Sequence, residues 1–256
     1  MLIYMAQRTH PPEADDEERA FLATYDPRVF ERPSLAVDVA LLTVTSEGAL
    51  ATLVVRRDEA PAKGRWALPG TFVRVDETLE AAAARALAAK SGLERVYLEQ
   101  LYTFGALRRD PRTRVVTVAY YALVHALRLA DAKSPARVAR IEVPWEGETG
   151  GDVELFGEEG QALPLAFDHG AILGTAVKRI RGKLDYTPIG FQLLSDRFTL
   201  ASLQHVHETV LGRPLNKDSF RRRMLASGQL EATGDREEGV DHRPPELYRF
   251  ARRSAV

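Results

Sequence analysis

The sequence predicts an α/β (α+β) chain in two parts, an N-terminal αβα sandwich followed by a C-terminal winged helix-turn-helix domain. Three observations predict it. Strand-like segments occupy residues 35–125 in the order strand, strand, helix, strand, strand. The helix among them carries capping residues at both ends, Thr78 and Gly92. Near the end of the chain, two short helices joined by a tight turn precede a charged hairpin.

Composition narrows the function classes. At 256 residues the chain has room for one large domain or two moderate ones. Apolar content of 45% and charged content of 28% are those of a globular protein in water. A net charge of −1 excludes an overall basic field, so any nucleic-acid contact must come from a local patch. The chain has no cysteine, which excludes disulfides and thiolate ligands or nucleophiles and fits a reducing cytosol. The N-terminal apolar run is too short for a signal peptide, and no stretch approaches the roughly 20 apolar residues of a membrane helix. The expectation is a cytoplasmic protein with no membrane partner.

Residues 1–34 read as a lead-in, acidic from 13 to 25 and broken at Asp26-Pro27 and Arg32-Pro33. Leu35 to Thr45 is β-branched and apolar with Asp38 interrupting it, which suits a buried strand. Glu47-Gly48 turns the chain into a partner strand, Ala49 to Arg57. The stretch WALPGTFVRVDETLEAAAARALAAKSGL, from Trp66 to Leu93, then gives a strand end, a Pro-Gly turn, an extended segment and the capped helix. Val96 to Gly105 and Arg114 to His125 are two further strands, joined by the polar turn ALRRDPRT. From 130 to 164 glycine and proline mark loops around a short strand at Val138 to Val143. Asp168 caps a helix whose apolar residues Ile172, Leu173, Val177, Ile180 and Leu184 recur at helical spacing. It closes a first domain at 35–184.

A second domain, 185–256, follows. Thr199 opens a helix with Leu200, Leu203, Val206 and Val210 on one face and Gly212 as its stop. Asn216 caps the next helix, packed through Phe220, Met224 and Leu225 and ended by Gly228. Helix N-termini meet base edges, and lysine and arginine find phosphates. The DNA-binding candidates are therefore Thr199, Asn216, Lys217, Ser219, Arg221, Arg222 and Arg223, with His242 and Arg243 on the wing. The competing reading is a solvated basic helix face.

The stretch from Trp66 to Leu93 resembles the Nudix box, with Thr71 at the family's first Gly, Glu77 at its first Glu, Arg85 at its Arg, Leu87 at the apolar position and Gly92-Leu93 at the close. In the family, three helix glutamates hold the magnesium ions that polarise a pyrophosphate. Their places hold Ala86, Ala89 and Lys90 here, which share one helix face and supply no carboxylate oxygen. The resemblance therefore implies a Nudix fold with no catalytic residue, no metal site and no cofactor. A plainer reading of the alanines is a close-packed core helix.

Taken over nearly the whole chain, the sequence is similar to the Nudix-related transcriptional regulators, the NrtR family, through YDPRVFERPSLAVDVALLTV, KGRWALPGTFVRVDETLEAAAARAL, VYLEQLYTFG, RDPRTRVVTVAYYALV, LAFDHGAIL and the tail RPLNKDSFRRRMLASGQLE. This implies a homodimeric repressor of NAD metabolism genes. Its sandwich would sense ADP-ribose or a related NAD-derived nucleotide, and its winged helices would grip a palindromic double-stranded operator. Half-sites would be spaced by one helical turn or a multiple of it. Some relatives regulate sugar catabolism instead.

Guanidinium groups bind phosphate oxygens bidentately without a metal, so Arg56, Arg57, Arg74, Arg108 and Arg109 are the candidates for the pyrophosphate. Trp66, Phe72 and Phe104 are the candidates to stack an adenine. Against these stand Trp66 and Phe104 as core residues and Arg108-Arg109 as a solvated turn. Glu77 and Arg85 read as a structural ion pair. Two other functions compete: a hydrolase of nucleoside diphosphate derivatives using Asp76 and Glu77, and a nucleotide-binding adaptor with no preference for any duplex.

Overall fold

Every residue from Ala36 to Val44 is buried, so the first long strand needs cover on both of its faces. The computed structural model, which describes residues 15–130, 135–184, 188–237 and 244–251, supplies that cover with two helices. Met1–Pro33 and Ser34–Val256 are separate compact units. In the first, helix α1 (Asp16–Thr24) is capped by the Asp15 carboxylate, which accepts from the Glu18 amide.

The second unit begins with β1 (Ser34–Val44), β2 (Leu50–Arg56) and the short strands β3 (Trp66–Ala67) and β4 (Gly70–Phe72), which lead into helix α2 (Leu79–Ser91). Strands β5 (Glu99–Phe104) and β6 (Val115–Leu123), the short helix α3 (Ala126–Ala130) and strands β7 (Ala136–Glu142) and β8 (Glu154–Phe156) precede helix α4 (His169–Lys183). Helices α5 (Leu200–Leu211) and α6 (Lys217–Ala226) and the hairpin β9 (Leu230–Arg236) and β10 (Glu246–Phe250) complete the order. Among the described residues, no helix is long and apolar enough to cross a membrane.

The large sheet has the order β5-β6-β1-β2-β7-β8. β1 runs parallel to β6 along one edge. Its other edge is shared: β2 pairs with Leu42–Val44 and β4 with Ala36–Asp38, both antiparallel. The sheet forks there. The first half of β1 is thereby aimed at the turn before α2, while its second half continues the sheet.

Helix α2 lays Ala82 and Ala83 on Val37, Val39, Val118 and Tyr120, and Leu87 on Leu41 and Leu53. The plainer reading of its alanines holds for these positions, where small side chains let the helix approach the sheet. Helix α4 covers the opposite face with Ile172, Leu173, Val177 and Ile180 against Ala40 and Leu42. The Thr78 hydroxyl accepts from the Ala81 amide, and Gly92 ends α2 at φ 73°.

Phe198, Leu200, Leu203, Phe220, Met224 and Tyr248 form a second core under α5, α6 and the hairpin. Thr199 and Asn216 cap the two helices, as their side-chain preferences predict. Two expectations need correction. Leu225 is 44% exposed, because it falls off the face carrying Phe220 and Met224. Asp168 precedes α4 but makes no side-chain cap, since its carboxylate is taken by an arginine 59 residues away in the chain. β3 and β4 fall where the sequence reads a strand end and an extended segment about a Pro-Gly turn, whereas α3 and β8, at five and three residues, were below the reach of periodicity.

Candidate ligand cavity and nucleic-acid interface

The turn before α2 is built on Arg85. Its Nε and Nη2 donate to both oxygens of Glu77 at 2.9 and 2.5 Å, Nη1 to the Thr71 hydroxyl at 3.2 Å and Nη2 to the Phe72 carbonyl at 3.0 Å. Glu77 in turn accepts from the Arg74 amide at 2.8 Å. The pair is the structural bracket the sequence suggests, and Thr71, standing where the Nudix box has glycine, contributes an acceptor to it. Bonding to Arg85 and to the Arg74 amide holds the Glu77 carboxyl at about 2, below its ordinary value. Because the folded value is depressed, the bracket's stability is present above the ordinary value of 4.5 and is lost as pH falls toward about 2. We therefore expect the difference in melting temperature between the natural chain and Glu77→Gln to be constant from pH 7 to 5 and to shrink below 4.5.

The turn closes one side of a cavity of about 300 Å³ lined by residues of β1, the segment after β2, the β3–β4 turn, α2 and the loop after β5. Gly70 is required there by close approach, since a Cβ would stand 2.2 Å from Oδ1 of Asp38. Asp38, the carboxylate that interrupts the apolar run of β1, accepts from Arg109 Nη2 at 3.3 Å. Arg109 also forks onto Asp168, Nε to Oδ2 at 2.9 Å and Nη2 to Oδ1 at 2.7 Å. Its side chain is 6% exposed, which corrects the reading of Arg108-Arg109 as a wholly solvated turn.

His169 Nδ1 accepts from the Leu68 amide at 2.9 Å, so its proton is assigned to Nε2, 3.6 Å from Asp38 Oδ1. Burial pushes its pKa down and keeps it neutral. Four cations line the cavity: Arg57, Lys90, Arg109 and Arg112. Arg112 pairs with Asp110 and lies 5.4 Å over the Phe72 ring. Arg57 donates to the Pro61 carbonyl and lies 4.9 Å from the Phe167 ring. Among the described residues, Arg57 and Lys90 have no carboxylate partner, and both line the cavity, as does the carboxylate of Glu59.

The Nudix-box positions do not fit a divalent metal. Ala86 is 2% exposed in the core, Ala89 has no donor, Lys90 brings a cation to the cavity wall and Glu77 is committed to Arg85. Among the described residues, no three His, Cys, Asp or Glu side chains stand together so as to hold a metal ion.

At the other end of the unit, α6 turns its basic residues outward. Lys217, Arg221, Arg222 and Arg223 are exposed, while Phe220 and Met224 anchor the opposite face. The Asn216 side chain accepts from the Ser219 amide at 3.0 Å, fixing the first turn. The hairpin is braced by Arg249–Glu231, and Asp235 on it takes Arg197. The face offers local positive charge that the net charge of the chain conceals.

A Nudix domain model matches residues 33–146, and a model described as the NrtR DNA-binding winged helix domain matches residues 190–250. Over 236 residues the chain is 39% identical to the ADPR responsive transcriptional repressor NtrR of Acinetobacter baylyi, covering 91% of this chain and 88% of that protein. The chain belongs to the NrtR family. Its fold also matches the crystal structure of Shewanella oneidensis NrtR complexed with a 27mer DNA, at TM-score 0.67 and 36% identity over 84% of this chain and 93% of that one. A MutT/nudix family protein from Enterococcus faecalis matches at TM-score 0.73 and 27% identity over 93% of each chain.

Within this NrtR-family chain, three of the expected ligand residues, Arg57, Phe72 and Arg109, share the cavity. Arg56, Arg74 and Arg108 are exposed and outside its lining. Trp66 lines a separate hollow with Leu129, Ala136 and Leu163, and Phe104 stacks edge-on against Tyr102 at 5.4 Å. Both pack on the core, as the plainer reading has it. Thr199 is 5% exposed, and its hydroxyl accepts from the Ser202 amide and so closes the first turn of α5. His242 and Arg243 lie outside the described residues. The sequence reading missed Lys90, Arg112 and Asp38 as cavity groups, and Asp168 as the second carboxylate on Arg109. The one available signal was Asp38, since a carboxylate inside an apolar strand requires a partner.

Proposed function

We propose that the chain is a DNA-binding transcriptional repressor that responds to ADP-ribose or a closely related NAD-derived nucleotide and does not hydrolyse it. Residues 35–184 are the sensing part and residues 185–256 the DNA-binding part. The observation that carries the reading is Lys90. A cation on the wall of the cavity that Arg57 also lines, Arg57 having no carboxylate partner among the described residues, suits a diphosphate and repels a metal. The name of the Acinetobacter baylyi relative, an ADPR responsive transcriptional repressor, supports the same ligand and the same role.

In this reading Arg57, Lys90, Arg109 and Arg112 meet the diphosphate and Phe72 offers a ring face to the base. Asn216, Lys217, Ser219, Arg221, Arg222 and Arg223 meet DNA. The protein acts in the cytoplasm as a homodimer on a palindromic operator of NAD metabolism genes. Calorimetry with ADP-ribose tests the sensing part: binding persists in EDTA, Lys90→Met weakens it, and no AMP accumulates when Mg²⁺ is supplied. Steady AMP release abolished by Glu77→Gln would replace this reading with the hydrolase.

A further inference from the structure

Two struts connect the cavity to the winged helix, and each is held at both ends. β1 starts at the cavity with Ala36 and Asp38 and leads to the turn at Gly48. The Gly48 carbonyl accepts from the Thr209 hydroxyl of α5 at 3.2 Å. His205 of the same helix packs on that turn so tightly that a Cβ on Gly48 would lie 2.4 Å from its Nε2.

The second strut is α4. It starts at the cavity with His169 and ends beside α5, where Arg181 Nε donates to the Val210 carbonyl at 2.8 Å. Arg181 is 6% exposed and also donates to the carbonyls of Trp145 and Gly147 at 3.3 and 3.0 Å. Its guanidinium lies 4.8 Å from the Trp145 ring. Val210 is in the last turn of α5, where unpaired carbonyls favour a cation.

Strand rise makes β1 about 26 Å long from Ala36 to Val44, and helix rise makes α4 about 18 Å long from His169 to Arg181, so each spans the distance from the cavity toward α5. Arg109 ties them at the cavity end, one guanidinium bonded to Asp38 on β1 and to Asp168 at the head of α4. Helix α5 ties them at the other. A phosphate oxygen in the cavity is an acceptor of the same charge and geometry as those carboxylates, and it competes for the same fork. Drawing Arg109 toward the ligand loosens β1 from α4, and α5, fastened to both, turns with them.

We infer that Arg109 is the positioning residue through which an anionic ligand in the cavity is read by α5, with β1 and α4 as the two members that carry the change. The inference rests on the nucleotide-sensing reading above. Ligand shifts DNA affinity in this scheme because it binds the tied and untied arrangements with different affinity.

The test measures the dissociation constant of the full-length chain for a duplex selected by it from random-sequence DNA, with and without ADP-ribose. The variants are Thr209→Val and Arg181→Lys, both remote from the cavity lining and from the outer face of α6. In the natural chain the ratio of the two constants is expected to be on the order of 5- to 150-fold. In the double variant it is expected to fall below about twofold, with ADP-ribose affinity and ligand-free duplex affinity unchanged. A ratio in the folded double variant equal to that of the natural chain overturns the inference and leaves the proposed function standing. If Arg181→Lys does not fold, Thr209→Val and hydrogen exchange on the natural chain decide. ADP-ribose must then alter exchange at residues 44–50 and 205–212, and changes confined to the cavity lining overturn the inference. A ratio of one in the natural chain removes the ligand-responsive reading itself, and the inference with it.

Discussion

Replacing Lys217, Arg221 and Arg222 together by alanine is expected to lower duplex affinity by about a hundredfold, at roughly 1 kcal/mol for each lost phosphate contact. The three side chains are exposed on the outer face of α6, and the buried Phe220 and Met224 hold that helix in place without them. Fold and melting temperature should therefore be unaffected, which separates lost binding from lost structure. Each cation that neutralises a phosphate releases a counterion, so the slope of log affinity against log salt should fall by roughly 3. The loss should be similar across duplex sequences, because phosphates carry no sequence information. An unchanged slope in fluorescence anisotropy titrations from 50 to about 200 mM salt would reject α6 as the phosphate-contacting element.

Arg109→Met is expected to have the largest effect on stability, a loss of about 3–5 kcal/mol by chemical denaturation. The guanidinium is 6% exposed and faces Asp38 and Asp168, 10% and 22% exposed. Removing it leaves two poorly solvated carboxylates without their common cation, and such orphaned charges cost more than the intact pair contributes. Adding Asp38→Asn to that variant should restore part of the loss by removing one of the stranded charges. A melting curve for Arg109→Met equal to that of the natural chain would mean that water reaches this cluster far better than its burial indicates. The same clasp is the tie between β1 and α4, so its stability contribution and its place in coupling arise from one geometry.

Much of this protein is legible without coordinates because its signals are local. Thr78, Thr199 and Asn216 cap helices through bonds within three residues, and a side chain with a hydroxyl or amide oxygen at the right offset announces them. The largely apolar run of β1, broken only by Asp38 and Thr43 between Ala36 and Val44, implies a strand covered on both faces, and the helices on either side satisfy it. Likewise, the spacing of Glu77 and Arg85 is enough to suggest a bracket, and Ala86, Ala89 and Lys90 place no carboxylate at those three positions of the box.

Only the tertiary structure decided which groups meet. Asp168 looks like a helix cap, yet its carboxylate goes to Arg109, 59 positions earlier. Arg56 and Arg57 are adjacent in sequence, but one faces solvent and the other the cavity, because alternate residues of a strand end point to opposite sides. The cavity itself exists because β1 gives one edge to two partners, β2 and β4, a choice fixed by pairing across the sheet and written in no single segment. The physical division is one of range: caps, strand cover and the chemistry of the box helix follow from neighbours in the chain, whereas a buried charge cluster is specified only when folding removes the water that would otherwise satisfy each of its members separately.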